Sequence, residues 1–224
     1  QTPLNEQDLK TMSEAVEVLR QFKGFSYFTE MSDIINRLED HVASARMKTT
    51  PVIDFEKNES LKGLDYLDTI YHAIVNEHPI QLKYRSFKAR SANSFIFYPY
   101  LLKEYRNRWF VYGVRGNGRI LQNLALDRIQ SLEVLPQEHY IKNTFFDPNT
   151  FFDDLVGVTK NTGSVAEKVG FKVAAAEAPY IITKPIHRSQ QVMERLADGS
   201  VILEIEVVIN HELERVFFGY AEGI

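Results

Sequence analysis

Two apolar, aromatic-rich runs joined by a glycine-rich turn constrain the fold of this chain more than any other feature. Residues 108–113 read Arg-Trp-Phe-Val-Tyr-Gly, residues 124–129 read Leu-Ala-Leu-Asp-Arg-Ile, and residues 115–118 between them read Arg-Gly-Asn-Gly. Aromatic and branched residues favour strands, and Asn-Gly supplies the positive φ values of a tight turn. The pattern predicts a β-hairpin with the only tryptophan, Trp109, on its first strand and an Asp127–Arg128 pair closing its second.

Further strands and one helix are predicted around this hairpin. Residues 80–84, Ile-Gln-Leu-Lys-Tyr, alternate apolar and polar side chains as a half-buried strand does. Residues 98–102, Tyr-Pro-Tyr-Leu-Leu, predict a strand ahead of the Trp strand. Apolar residues at helical spacing over residues 67–74 predict a helix, and Pro136 should end the last strand. This amount of β structure is typical of a small barrel.

These segments, in this order, resemble the WYL domain, a family named for a Trp-Tyr-Leu triplet and marked by Asp-Arg-Ile on the following strand. The resemblance is carried by residues 80–84, 98–102, 109–111 and 127–129. It implies a barrel similar to SH3 or Sm folds. It also implies an effector pocket, since nucleic-acid or nucleotide-like ligands are proposed for some WYL domains.

The C-terminal part resembles the WCX extension that often follows a WYL domain. The similar segments are His-Arg-Ser-Gln at 187–190, Asp-Gly at 198–199, and Glu-Leu-Glu-Arg at 212–215 followed by Phe-Gly at 218–219. The element order predicted there is β-α-β-β-α, which fits a ferredoxin-like sandwich without its last strand. We expect a fragment truncated at both ends, without the N-terminal helix-turn-helix domain that WYL proteins commonly carry.

The predicted fold class is α+β, in four segments. Residues 1–62 form a helical linker or dimerisation segment, because two short amphipathic helices there lack any recognition-helix signature. Residues 63–135 form the WYL small β-barrel, which is SH3/Sm-like. Residues 136–165 form a connector, and residues 166–224 form the incomplete WCX-like, ferredoxin-like α/β domain.

Two departures from the WYL pattern weaken the expectation of strong phosphate binding. The triplet is Trp109-Phe110-Val111, so the family's tyrosine hydroxyl is missing from that strand. Gln122 and Ala125 stand where the family has two arginines ahead of its Asp-Arg-Ile. Arg128 and nearby Arg119 are the cations that remain.

Composition excludes several classes of protein. The net charge of −4 argues against a nucleic-acid binder that uses its whole surface, although a local basic pocket remains open. The absence of cysteine excludes disulfides and thiolate metal sites, and it fits a cytoplasmic protein. No membrane-spanning apolar run is present. Without a nucleotide-binding glycine loop, a metalloprotease motif or a nucleophile elbow, we expect neither an enzyme nor a cofactor.

The candidate site is a ligand pocket on the barrel, because cations and aromatics are interleaved there. Arginine forks match phosphate, and aromatic faces stack on bases. Residue types alone favour the interpretation that the charged side chains are solvated and the aromatic side chains lie in the core. The resemblance to the WYL domain instead favours a ligand pocket. Alternation leaves open whether Trp109 and Val111 or Phe110 and Tyr112 face the core. Asp127 either orients Arg128 for a ligand or pins the strand end with it, and the two roles are compatible. The predicted pocket residues are Tyr84, Arg85, Arg90, Trp109, Tyr112, Arg119, Asp127 and Arg128.

The sequence supports two hypotheses of function, which belong to different classes of protein. The first is the effector-sensing and oligomerising region of a bacterial-type transcriptional regulator. We expect it to be a homodimer that binds a nucleotide or short nucleic acid and meets duplex DNA only through its N-terminal domain. The alternative is a protein-interaction or assembly module with no small ligand, which the two missing arginines favour.

Overall fold

The computed structural model describes residues 62–116, 120–220 and 223–224. The predicted helical linker, apart from its last residue, and Arg119 lie outside the described residues. Packing divides the chain into two units. Among the described residues, the first contains residues 62–111 and 124–141, and the second contains residues 112–116, 120–123, 142–220 and 223–224. No helix within the described ranges is long and apolar enough to cross a membrane.

A five-stranded antiparallel sheet and one α-helix build the N-terminal part of the described chain. The elements are a 3-10 turn (Leu64–Tyr66), α1 (Leu67–Val75), β1 (Ile80–Tyr84), β2 (Asn93–Tyr105), β3 (Arg108–Arg115), β4 (Leu121–Ala125), a second 3-10 turn (Leu126–Arg128) and β5 (Ile129–Val134). The strands have the order β4-β3-β2-β1-β5. The predicted helix, Trp strand and final strand are therefore present, while the SH3- or Sm-like classification stays a prediction.

The core of the first unit follows from the periodicities of the sequence. Apolar residues of α1 recur on one face, and β1 alternates buried Ile80 and Leu82 with more exposed polar residues. Trp109 and Val111 pack into this core, so they are the pair of the Trp strand that faces it. The fully buried members of the core include Leu67, Ile70, Ile80, Leu82, Phe97 and Val111.

A two-residue turn, Arg106–Asn107, joins β2 to β3. Both residues have positive φ angles, 49° and 61°. Two-residue hairpin turns with positive φ at both positions match the twist of the flanking strands, and asparagine tolerates this conformation well. The turn makes Arg108 the first residue of β3, at the end of the strand opposite the Gly116 turn.

The second unit has the β-α-β-β-α order predicted from the sequence. The elements are β6 (Glu167–Val173), α2 (Ala178–Thr183), β7 (Gln191–Arg195), β8 (Val201–Val207) and α3 (His211–Phe218). The strands form a separate antiparallel sheet in the order β6-β8-β7. Gly199, with a φ of 83°, turns the chain between the last two strands, as the Asp198-Gly199 pair predicts. The ferredoxin-like classification stays a prediction.

Candidate functional site

Asp127 and Arg128 lie in the second 3-10 turn, between β4 and β5. The sequence analysis placed them on a strand, and this was wrong. Leu126 and Ile129 both enter the core of the first unit. A strand would turn residues three apart to opposite faces, whereas a 3-10 helix brings residues i and i+3 to the same side. The turn therefore buries both apolar side chains and carries Asp127 and Arg128 between them.

Gly63 allows the chain to pass close to this turn. Its φ is +84°, and a Cβ atom there would lie 2.2 Å from the Leu126 carbonyl oxygen. No side chain fits at that distance, so glycine is required where the start of the first unit meets the turn.

The Asp127 carboxylate lies between two guanidinium groups. Arg108 Nε is 3.2 Å from Oδ2, and Arg128 Nε is 3.8 Å from Oδ1. The side chain of Asp127 is only 11% exposed, compared with 26% for Arg128 and 43% for Arg108. Two guanidinium groups beside one carboxylate leave a net positive charge. We call these three side chains the Asp127 cluster.

Several polar atoms of the Asp127 cluster are buried without a hydrogen-bond partner among the described residues. They are Arg108 Nε, Asp127 Oδ1 and Arg128 Nε. Arg108 Nε approaches Asp127 Oδ2 at ion-pair distance without making a hydrogen bond. Buried polar groups are nearly always bonded, and an unsatisfied one is costly. Such a concentration at one cationic cluster is typical of a place where a ligand or water completes the bonding.

Tyr84 joins the cluster from the end of β1. Its ring packs against the core of the first unit. Burial raises the pKa of its hydroxyl, and the neighbouring Arg128 guanidinium and Ala125 backbone limit that rise. The hydroxyl thus stays protonated at neutral pH beside a guanidinium. Tyr84 and Arg128 therefore lie close together, and their shared role in a ligand pocket stays a prediction.

The loop between β1 and β2 adds an aromatic ring. The Arg128 guanidinium carbon lies 4.5 Å from the centroid of Phe87, a cation–π distance. Phe87 is nevertheless 74% exposed. The Arg85 amide donates to the Arg128 carbonyl at 3.1 Å, which fixes the start of the loop beside the 3-10 turn.

The other predicted pocket residues separate into different environments. Arg85 and Arg90 are exposed on the same loop, and Arg85 Nε donates to the Ala89 carbonyl at 3.4 Å. Trp109 packs against the core. Tyr112 is 2% exposed, and its hydroxyl donates to the Val158 carbonyl. Tyr112 is therefore a packing residue, because neither its ring nor its hydroxyl is accessible.

Sequence reasoning did not place Arg108 and Phe87 among the predicted pocket residues, although the structure brings them against Asp127 and Arg128. Arg108 directly precedes the Trp strand motif, but its pairing with Asp127 depends on how β3 aligns with the second 3-10 turn. An exposed phenylalanine within a cationic stretch was the available signal for Phe87, since Arg85, Lys88 and Arg90 surround it in the sequence.

The second unit holds a polar cluster of another kind, around the carbonyl of Val158. Besides the Tyr112 hydroxyl, Asn123 Nδ2 donates to this carbonyl at 2.6 Å. Tyr112 also packs edge-on against Phe151 and Phe152. Burial raises the pKa of the Tyr112 hydroxyl, so it remains a donor.

Asn210 extends this cluster from the N-cap of α3. Its Nδ2 donates to the carbonyls of Val156 and Thr159, both at 2.9 Å. Its Oδ1 accepts from the Leu213 amide at 2.8 Å, which caps the helix. Thr159 in turn donates to Glu212 Oε1 at 2.7 Å. We call Tyr112, Asn123, Thr159, Asn210 and Glu212, with the loop they hold, the Val158 cluster.

The His-Arg-Ser-Gln segment also makes structural contacts within the second unit. Arg188 Nη2 lies 2.7 Å from Asp153 Oδ2, and its Nε donates to the Asp153 carbonyl at 3.2 Å. Gln190 donates to the Ile181 carbonyl and accepts from the Ile186 amide. These contacts fix the loop ahead of β7, which accounts for the motif without a ligand.

Comparison with known proteins identifies the domain that carries the Asp127 cluster. Residues 65–134 match the WYL domain family, so a WYL domain is present in this chain. No curated protein sequence matches the chain.

Two solved structures are similar at low identity. One is proteasome accessory factor B/C (PafBC) of Arthrobacter aurescens, with 16% identity and a TM-score of 0.33 over 67% of this chain and 22% of that one. The other, described as a CRISPR Cas-related protein, has 12% identity and a TM-score of 0.39 over 100% of this chain and 68% of that one. The chain thus spans about a fifth of the length of the PafBC chain.

Proposed function

We propose that this chain is the effector-sensing and oligomerising region of a bacterial-type transcriptional regulator. In this proposal the WYL domain binds a nucleotide-like or single-stranded nucleic-acid ligand through the Asp127 cluster. The chain works in the cytoplasm as a homodimer, without enzymatic activity, and meets duplex DNA through a separate helix-turn-helix domain. The WYL domain of this chain supports this role, because WYL domain proteins are regulatory or ligand-sensing.

The observation that carries the proposal is the set of buried, unpartnered atoms in the Asp127 cluster. Arg108 Nε and Arg128 Nε are both donors, and they flank one carboxylate that neutralises only one of the two charges. A phosphate accepts hydrogen bonds from several donors at once and matches the guanidinium fork. Asp127 lies between the two arginines, and this placement supports a role in orienting them over a role that only pins the end of the strand.

Regulation requires that the ligand distinguish two arrangements of the protein. A ligand shifts an equilibrium only by the difference between its affinities for the two states. The second 3-10 turn is suited to this, because Arg128 contacts the ligand in this proposal while its carbonyl accepts from the amide of Arg85, the residue directly after β1. A movement of Arg128 would therefore be transmitted to β1 through this hydrogen bond.

The alternative, an assembly module with no small ligand, has one observation in its favour. Every residue of β7 is exposed, including Val192 at 41% and Met193 at 56%. An exposed edge strand with apolar side chains is a ready template for pairing with another chain. This surface makes no use of the Asp127 cluster, so the two functions are separable by mutation.

The test is binding of short 5′-phosphorylated single-stranded oligonucleotides and of mononucleotides, followed by fluorescence anisotropy at rising salt. Binding should weaken steeply with salt because phosphate contacts release counterions. Arg128→Ala should weaken affinity by about 10–100-fold, the range for charge-assisted hydrogen bonds. Arg195→Ala, a change at an exposed arginine of β7, is the matched control and should leave affinity unchanged.

Two results would overturn the proposal. The first is that no nucleotide or oligonucleotide binds while the protein associates stably with itself, which would establish the assembly module instead. The second is that Arg128→Ala and Arg195→Ala lower affinity equally, since binding would then follow overall charge rather than the Asp127 cluster.

A further inference from the structure

An exposed aromatic ring lies directly over the candidate phosphate site. Phe87 is 74% exposed, although phenylalanine belongs to the residues most often buried. The Arg128 guanidinium covers one face of its ring at 4.5 Å. A flat ring has two faces, and the high exposure leaves the other one open to solvent.

The loop that carries Phe87 is tied in place at both sides of the ring. The Ala89 amide donates to the Ser86 carbonyl at 3.0 Å, which closes a turn around Phe87. The Arg85 amide donates to the Arg128 carbonyl at 3.1 Å. Because the ring is presented by a fixed turn, little conformational entropy is lost when a ligand covers it.

The other aromatic residues predicted for the pocket are already engaged. Trp109 and Tyr84 pack against the core of the first unit, and Tyr112 is buried in the second. Phe87 therefore offers the stacking surface that the sequence analysis assigned to Trp109 and Tyr112.

The charges of the loop favour an anionic ligand with an aromatic part. Arg85, Lys88 and Arg90 are exposed on either side of Phe87. An exposed aromatic flanked by cations combines a stacking platform with an electrostatic track for a phosphate backbone. A simple anion would use the charges and leave the ring uncovered.

We propose that Phe87 is a specificity-determining residue that stacks on a nucleobase of the ligand whose phosphate contacts Arg128. This inference rests on the proposed function and narrows it, because it requires the ligand to carry a base beside the phosphate. Every base has a π face, so the stacking selects for nucleobases over other phosphates without choosing strongly among them.

The experiment compares two ligands on the natural protein and on three variants of the full chain, Phe87→Ala, Arg128→Ala and Phe218→Ala. The ligands are a short 5′-phosphorylated oligothymidine and a base-free oligonucleotide of the same length and charge. Phe87→Ala should weaken binding of the oligothymidine by about 5–100-fold, the range for loss of one base–aromatic stack. Binding of the base-free oligonucleotide should stay within about twofold on the same reasoning. Phe218→Ala removes a ring of similar exposure, 81%, from α3 and should change neither affinity.

A second readout is direct. In Phe87→Trp, the oligothymidine should quench indole fluorescence beyond any change it causes in the natural protein, whose fluorescence comes from Trp109, and the base-free oligonucleotide should not, because stacking on a base quenches the indole. Circular dichroism melting of each variant shows whether the fold is retained, which is expected for an exposed position.

The outcomes separate this inference from the function on which it rests. Equal losses for both ligands in Phe87→Ala would overturn the stacking role, since the ring would then act only by positioning Arg128. An unchanged affinity in Phe87→Ala, together with a large loss in Arg128→Ala, would overturn the stacking role alone. If Arg128→Ala leaves both ligands unaffected, the proposed function itself fails.

Discussion

The Asp127 cluster of the first unit and the Val158 cluster of the second both contain buried polar side chains. The two clusters differ in how completely these side chains are hydrogen-bonded. In the Val158 cluster, Asn210 makes hydrogen bonds with both ends of its amide, and the Val158 carbonyl receives two donors. In the Asp127 cluster, two arginines and the aspartate between them each keep a buried atom without a hydrogen bond.

This difference teaches how to separate a structural polar cluster from a binding one. Buried hydrogen bonds that are complete stabilise a fold and specify one arrangement. Incomplete ones reduce stability, and an energetic cost retained at one place indicates that a partner from outside completes them. Glu212 Oε2 is a buried, unpartnered atom in the Val158 cluster, but its other oxygen is bonded to Thr159. We therefore expect mutations to affect stability in one cluster and affinity in the other.

The largest expected effect on stability belongs to Asn210. Asn210→Ala removes a helix cap and leaves two carbonyls without their donor, which should destabilise the second unit by about 3 kcal/mol. Urea unfolding measures this loss, and oligonucleotide affinity should not change. Asn76→Ala is the matched control, because the Asn76 amide bonds only an exposed carbonyl at the end of α1. A loss no greater than in this control would contradict the structural role of the Val158 cluster.

Tyr112→Phe should have the next largest effect, a loss of about 1 kcal/mol from one buried hydrogen bond. Its pH dependence provides a sharper test. The pKa of Tyr112 is raised by burial in the folded state, so its contribution is complete below the ordinary tyrosine pKa of about 10 and is lost as the pH rises further.

The stability of the natural protein should thus fall above about pH 10 more steeply than that of Tyr112→Phe, which has nothing to ionise at this position. Some decline should remain in the variant, because burial also raises the pKa of Tyr100, to about 12. Tyr180→Phe, at a 70% exposed tyrosine, should follow the natural protein. Equal slopes in all three forms would refute the burial of the Tyr112 hydroxyl.

In the Asp127 cluster the comparison predicts smaller effects, seen in affinity. Asp127→Asn keeps the shape but turns an amide donor toward a guanidinium, so at least one arginine should move. We expect affinity for the phosphorylated oligonucleotide to fall by about fivefold, within the range for one hydrogen bond. Tighter binding would instead mean that Asp127 only repels the anion and does not orient the arginines.

The smallest expected change is in Tyr84→Phe. A neutral hydroxyl contributes less than a charge-assisted bond, so affinity should fall by about threefold, well below the effect of Arg128→Ala. Isothermal titration of both variants with the same oligonucleotide gives the ranking. A larger loss in Tyr84→Phe than in Arg128→Ala would mean that the ligand is held by the tyrosine and not by the cation.

Periodicity predicted the elements of the fold that repeat regularly. The alternation at residues 80–84 and the helical spacing at residues 67–74 each correspond to an observed element, as does the turn at Gly199. The prediction that Asp127 and Arg128 lie on a strand was wrong. Leu126 and Ile129, three residues apart, are both buried in the core. A strand cannot bury both on one face, and the apolar pattern of the segment did not distinguish a strand from a 3-10 turn. Tertiary packing decided that outcome, as it does at many short connections.

The candidate site was predictable only in part for the same reason. Tyr84 and Arg128 were expected to lie together and do, because the motif and the strand order relate them. Arg108 and Phe87 reach Asp127 and Arg128 through a hairpin register and a loop conformation. Neither the register nor the loop conformation is encoded in a local sequence pattern. A sequence of interleaved cationic and aromatic residues therefore does not reveal which of these side chains contact one another.

The most direct test of the Asp127 cluster as the ligand site is proton–nitrogen correlation NMR of the arginine Nε–H groups during titration with a 5′-phosphorylated single-stranded oligonucleotide. Resonances are assigned by single Arg→Lys substitutions. Arg108 and Arg128 Nε–H should shift downfield and exchange more slowly, because both gain an acceptor on binding. Arg188 Nε–H, already bonded to the Asp153 carbonyl, should not change. Saturating ligand that leaves Arg108 and Arg128 unshifted would contradict the account.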